Sequence, residues 1–188
     1  MRKDLGKKTI ITPLPVLMIG TYDENGNADV MNAAWGGQCG PNHIALNLSK
    51  HKTTENLEIK KEFTVSFATK NTMEISDYFG IVSAKDEDKI SKSGVHISKS
   101  NYIDAPIVEE YPLTIECKMI DMKKDETTGE HRIVGEVVNL SVDDTILDEN
   151  GNVDLDKLEP IAFDSSSNTY RVVREVVGNA FKDGMNIK

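Results

Sequence analysis

The chain has 188 residues, 38% of them hydrophobic, and carries 22 Lys and Arg against 31 Asp and Glu for a formal net charge of -9. That length suits a single domain spanning residues 1–188 with a sizeable core, and the acid excess leaves no basic surplus to neutralise nucleic-acid phosphates. No stretch approaches the roughly 18 uninterrupted apolar residues of a membrane-spanning helix and no signal peptide heads the chain, so a cytoplasmic protein with no nucleic-acid and no membrane partner is expected.

Residues 1–9 are basic and polar, and Pro13 and Pro15 confine the backbone ahead of the apolar run 16–22. Asn25-Gly26 follows, a dipeptide that tolerates positive φ and joins antiparallel strands, which predicts a hairpin into Val30. Residues 31–40 hold the only tryptophan, Trp35, one of the two cysteines and three glycines, and they read as a small-residue loop. Residues 43–49 alternate as a half-buried strand should, Thr53 or Thr54 stands where a helix N-cap is expected, and the helix runs to Lys60. Residues 62–68 form another alternating strand and 72–80 a short helix. Residues 84–101 are polar and lysine-rich, a surface excursion with one pair of helical turns. Two long strands are predicted at 107–122 and 133–142, joined by a charged turn at 123–130, and Asn150-Gly151 closes a further hairpin-like loop. A short helix is expected at 172–181, with Gly184 capping what remains. Scattered strands with helical insertions predict a mainly β fold, a barrel.

Three stretches bear on chemistry. In the first, Met31, Asn32, Ala33, Ala34 and Trp35 lead into Gly36 and Gly37, small residues that let a flat ligand approach the main chain. Trp35 is either a wall of such a site or a filler of the core. In the second, Ser49, Lys50, His51, Lys52, Thr53 and Thr54 lie between a strand end and a helix start. Cationic side chains, hydroxyls and free helical N–H groups together suit a phosphate monoester, although a solvated turn with an ordinary cap has the same composition. One strand, ending in Asn47 and Leu48, joins the two stretches, so a phosphorylated flat ligand fits along it. The third is His131 at the head of a strand, either a turn histidine or a group projecting into a pocket. Cys39 and Cys117 form no CxxC, the four histidines are dispersed, and neither a metal site nor a catalytic triad stands out.

These segments, with 13–22, 78–83, 89–94, 104–117, 131–137, Thr169-Tyr170 and Ala180-Phe181, make the chain resemble the flavin reductase-like FMN-binding split-barrel family, its flavoredoxin-like branch above all. The resemblance implies a six-stranded Greek-key split barrel that binds FMN non-covalently, usually as a homodimer with the flavin site at the interface. It assigns Asn32, Ala33, Ala34 and Trp35 to the isoalloxazine loop and Asn47, Leu48 and Ser49 to the strand end beside ring and ribityl chain. The phosphate falls to residues 50–54; this segment is one residue shorter than the flavoredoxin pattern, which leaves the individual contacts open. His131 matches a histidine near flavin and nicotinamide, and Ser83 and Lys89 are further candidates. The implied activity is a flavin oxidoreductase taking electrons from NADH or NADPH to an acceptor. The alternatives are a flavoredoxin-type electron carrier with a redox partner protein, or a non-catalytic ligand-binding barrel.

Overall fold

The computed structural model describes residues 1–187. A two-residue strand β1 (Leu14–Pro15) precedes β2 (Leu17–Tyr22), whose run of Leu, Met, Ile, Gly and Thr is buried almost throughout. The turn to β3 (Ala28–Ala33) is organised by one carboxylate: Asp23 Oδ1 accepts from the backbone N–H of Asn25 at 2.9 Å and of Asn27 at 2.8 Å, and Gly26 takes φ 82°. The same five residues, Asp-Glu-Asn-Gly-Asn, recur at 148–152 and build the same turn, with Asp148 Oδ1 accepting from Asn150 and Asn152 at 2.8 Å each and Gly151 at φ 81°. Here local sequence alone dictates structure, because the Asp side chain supplies the acceptor and glycine the positive φ.

Strands β4 (Gly36–Gly40) and β5 (His43–Leu48) come next, then helix α1 (Lys52–Lys60), β6 (Glu62–Phe67) and helix α2 (Met73–Ile81). A short helix α3 (Lys89–Ser93) and the small pair β7 (Ile97–Lys99) and β8 (Pro106–Val108) precede the long hairpin β9 (Leu113–Lys124) and β10 (His131–Val142). The single-turn α4 (Leu155–Leu158) leads to β11 (Ile161–Asp164) and β12 (Thr169–Val172). One antiparallel sheet runs β3-β2-β6-β9-β10-β5-β4, and β1, β11 and β12 make a second, smaller one. The two edges of the large sheet, β3 and β4, are consecutive in the chain and joined by Ala34 and Trp35 alone. Three residue steps reach at most about 11 Å, so the sheet must curl until its edges nearly meet. The product is a mainly β split barrel. Its interior is filled from β2, β3, β5, β6, β9 and β10 and from α1, by Ile19, Leu46, Leu57, Phe63, Val65 and Ile133 among others.

Several expectations are corrected. The barrel sheet has seven strands, not six, because residues 36–40 pair with β5 instead of looping freely. Glycine permits that pairing: a Cβ on Gly36 would stand 2.5 Å from Leu46 Cδ2 and 3.3 Å from Leu17 Cδ1. Residues 107–122 are not one strand, since the chain turns between β8 and β9 with Tyr111 N–H donating to Val108 O at 3.2 Å. The N-cap of α1 is His51 in extended backbone (φ -132°), not Thr53 or Thr54. Residues 172–181 form no helix. The first of them ends β12, and Val176 and Val177 find no core to bury an apolar stripe against, which a short helix needs.

Gly135 sets a tight point in the wall. A Cβ there would lie 2.5 Å from Phe63 Cζ and 3.2 Å from Cys117 Cβ, both residues fully buried. Gly135→Ala is expected to destabilise the fold by about 1–3 kcal/mol through overpacking, read as a lowered urea midpoint with unchanged slope.

Candidate functional site

A cleft of 160 Å³ lies against β3, lined by Asp29, Met31, Asn32, His51, Lys52, Thr53, Ser83 and Lys89, with Phe79 to Val82 forming the wall at the end of α2. Four separate stretches of chain meet there: β3, the start of α1, the end of α2 and α3. The N-terminus of α1 supplies backbone N–H groups at Lys52 and Thr53 that have no partner within the helix. An anion is favoured at such a point by the N–H groups and the helix dipole together.

Asp29 anchors this end. Its Oδ2 accepts from Thr53 Oγ1 at 2.7 Å and its Oδ1 lies 2.9 Å from Lys89 Nζ, both charged side chains being only 4% exposed. Lys89 also stands over the Phe79 ring, 5.9 Å from its centroid. Asn32 ties β3 to α2 by donating Nδ2–H to Ser76 O at 3.0 Å, and Gly80 packs against it, a Cβ there falling 3.2 Å from Asn32 Cβ. Lys85 reaches back to Glu55 on α1 at 2.7 Å, and the lysine holds that carboxyl below its ordinary range. The excursion after α2 is thus bound to the barrel from both sides of the cleft.

At the other end of β3 lies a wider cleft of 770 Å³, lined by Ala34, Trp35, Gly36, Gly37, Cys39 and Asn47, with Arg132 opposite. Trp35 is 59% exposed, so it fills no core; its carbonyl accepts from Asn47 N–H at 2.8 Å and fixes the loop to β5. From Asp29 to Trp35 is six residue steps, roughly 20 Å of extended strand. The chain therefore offers a cationic, donor-rich cleft against β3 and a separate apolar, open cleft beside the tie that follows it.

The predicted residues divide accordingly. Met31, Asn32, His51, Lys52, Thr53, Ser83 and Lys89 meet at the first end, and Ala34, Trp35 and Asn47 at the second. Ala33 and Leu48 face the barrel interior and offer the cleft backbone only. Lys50 is exposed and lines neither cleft. Three hydroxyls expected near a phosphate are already engaged: Thr53 on Asp29, Thr54 Oγ1 donating to His51 O at 2.8 Å, and Ser49 Oγ donating to Glu130 Oε1 at 2.8 Å. His131 pairs with Leu48 across β10 and β5 and is 8% exposed, its Nδ1 buried without a hydrogen-bond partner among the described residues. Asp29 and the 79–82 wall were missed by sequence reasoning. An aspartate just after a turn signals only solubility until Lys89, sixty residues on, is seen against it.

Cys117 is buried in the core, where burial pushes its thiol up to about 12, whereas Cys39 is exposed on β4. Among the described residues no group of three or more His, Cys, Asp or Glu is placed to hold a metal ion, and no helix is long and apolar enough to cross a membrane.

The model of the flavin reductase like domain matches residues 10–165. Among solved structures, the flavoredoxin of Desulfovibrio vulgaris (Miyazaki F) superposes with a TM-score of 0.91 at 33% identity, covering 98% of this chain and 100% of that one. An FMN-binding protein from Thermus thermophilus with bound 1-cyclohex-2-enone shares the fold at a TM-score of 0.77 and 18% identity, covering 95% and 100%. An uncharacterized protein of Aquifex aeolicus (strain VF5) is 32% identical over 109 residues, 58% of this chain; the match spans 55% of that curated relative's length.

The Asp29–Lys89 pair is open to direct test. Lys89→Met strands a buried carboxylate and is expected to cost about 3–5 kcal/mol, while the double change Asp29→Asn with Lys89→Met recovers most of the loss. Urea unfolding of the three variants measures both; an undamaged single variant would show the pair to be solvated.

Proposed function

The chain belongs to the flavin reductase-like domain family, and from that premise we propose that it is a cytoplasmic FMN-binding flavoprotein which takes electrons from NADH or NADPH and hands them to an acceptor. The observation that carries this reading is a pair of clefts at the two ends of 29–35, the first cationic beside the start of α1 and the second open beside Trp35.

The residues fit the group. An FMN phosphate is dianionic at neutral pH, and the α1 N-terminus with Lys52 and Lys89 supplies charge and donors for it. Lys89 is held in place by Asp29, so its ammonium costs little further ordering when an anion arrives. Because Thr53 and Thr54 spend their hydroxyls inside the protein, the α1 contribution falls to main-chain N–H and to Lys52. Asn32 and Ser83 line the stretch where a ribityl chain would run. Ala34, Trp35 and Asn47 border the space for a ring, where small side chains leave main-chain groups exposed for the ring's polar edge. His131, which the resemblance sets near flavin and nicotinamide, is buried beside Leu48 and lines neither cleft.

FMN held there would supply two-electron, hydride-accepting chemistry. The protein need only orient two rings and exclude water, which accounts for a site without an acid–base pair. A second reading, an electron carrier fed by a protein donor, is favoured by the 33% identity to a flavoredoxin and keeps the same cleft.

The purified protein is expected to be yellow and to release FMN, not FAD, on denaturation. Lys52→Ala removes a charge-assisted contact worth about 1.5–3 kcal/mol and so raises the FMN dissociation constant roughly ten- to hundredfold, while Lys50→Ala leaves it nearly unchanged. Titration by flavin fluorescence measures both. Anaerobic mixing with NADH or NADPH separates the readings: rapid bleaching of the flavin marks the reductase, and none marks the carrier.

A further inference from the structure

Helix α1 closes one end of the barrel only. It crosses from β5 to β6, strands that are not neighbours in the sheet, and inserts Leu57, fully buried, among the interior side chains. The opposite end carries no such plug. There a hollow of 320 Å³ opens, walled by Leu17 of β2, Ile44 of β5, Val65 of β6, Ile115 of β9 and Val137 of β10. Each of these five residues belongs to the interior cluster or packs against it. Protein interiors are filled to crystal-like density and leave few voids larger than a water molecule. A hollow of this size among aliphatic side chains is space that the chain's own residues leave unfilled. Gly37 on the edge strand β4 adds to it, since a Cβ there would meet nothing within 4 Å. The hollow is distinct from both clefts described above. It shares no residue with the one lined by Asp29 and Lys89, and only Gly37 and Gln38 with the one beside Trp35.

We propose that this open barrel end is a binding site for a small, uncharged, apolar molecule that carries one hydrogen-bonding group. Size follows from the volume, which lies at the lower end of the range of about 300–1,000 Å³ for ligand sites, and barrel mouths are among the places where such sites occur. Charge is decided by the lining, which among the described residues holds no Asp, Glu, Lys or Arg. An ion entering it would shed its water and meet no counter-charge, the costliest form of burial.

The single polar group follows from the rim. Gln38 Nε2 donates to Gly40 O at 2.9 Å, which holds the amide at the mouth, and half-buried His43 stands near it at the start of β5. A hydroxyl or carbonyl at the mouth meets these two side chains while the hydrocarbon lies on Leu17 and Val65. A peptide segment fits worse, because its repeated N–H and C=O groups need more partners than two side chains offer. The site stands apart from the flavin reading, since the sheet alone builds it.

Methyl NMR of the full chain in excess FMN, titrated with 1-hexanol and with hexanoate, tests the site, because the two probes share a chain and differ in charge. Hexanol is expected to shift the methyls of Leu17, Val65, Ile115 and Val137 with a dissociation constant of about 1 mM or below, and hexanoate to bind at least tenfold more weakly. Val137→Phe fills the hollow and should weaken hexanol at least tenfold. Leu140→Trp should do the same from a rim position that is 50% exposed, so the site stays testable if the first variant unfolds. No shift at the hollow, equal binding of hexanoate, undiminished binding in a folded variant, or shifts centred on Ala34 beside Trp35 overturns the proposal. Movement of the same methyls on dilution without ligand also overturns it, by showing a second copy of the chain over this end. A chain that ignores FMN yet takes hexanol here supports the proposal and overturns the flavin reading alone.

Discussion

Two residues hold the architecture to its shape. The barrel's edge strands β3 and β4 are joined by Ala34 and Trp35 alone, and so short a tie leaves a seven-stranded sheet no option but to curl. Closure is incomplete because β3 and β4 do not pair with each other, and the gap between them is the split. One cleft lies against β3 and the second beside the tie that follows it. The loop that forces the barrel shut is also the loop that keeps a ligand-sized opening beside it.

Electrostatics order the other end of the same strand. Placing Asp29 and Lys89 out of water costs several kcal/mol of desolvation for each ion, which their attraction and the Thr53 hydroxyl offset only with good geometry. A pair of that kind adds little net stability. It specifies instead that the excursion after α2 lies against β3 and the start of α1. Glu116 does parallel work elsewhere in the barrel: 1% exposed, it accepts from Asn139 Nδ2 at 2.6 Å and from Ser100 Oγ, pinning the loop ahead of β8 to β9 and β10. Buried carboxylates in this protein act as tethers for insertions that have few apolar contacts of their own.

How much of this was legible in the chain depended on the range of the interactions. The turns at 23–27 and 148–152 needed only their own five residues, and β6 announced itself through alternation, whereas the cap of α1 was expected two or three residues too late. The stretch 31–40 misled, because glycine and alanine carry no period, and the pairing of Gly36 and Gly37 with β5 is visible only once Leu46 and Ala45 lie opposite. Trp35 was taken as a wall or a core residue; its exposure follows from standing on the tie across the split, a position no local pattern marks. The cluster at 49–54 was recognised as a whole, yet the division of labour inside it required tertiary partners: Asp29 for Thr53, Glu130 for Ser49, and solvent for Lys50.

By itself the sequence determined the fold class, the basic helix start and the turns at 23–27 and 148–152, since hydrophobic period and turn chemistry act over a few residues and survive in one dimension. Only the tertiary structure decided which strand carries the site, which hydroxyls remain free, and that Asp29 and Lys89 meet. Those depend on partners set by folding: Thr53 meets Asp29 from 24 residues away, Ser49 meets Glu130 from 81, and Lys89 meets Asp29 from 60.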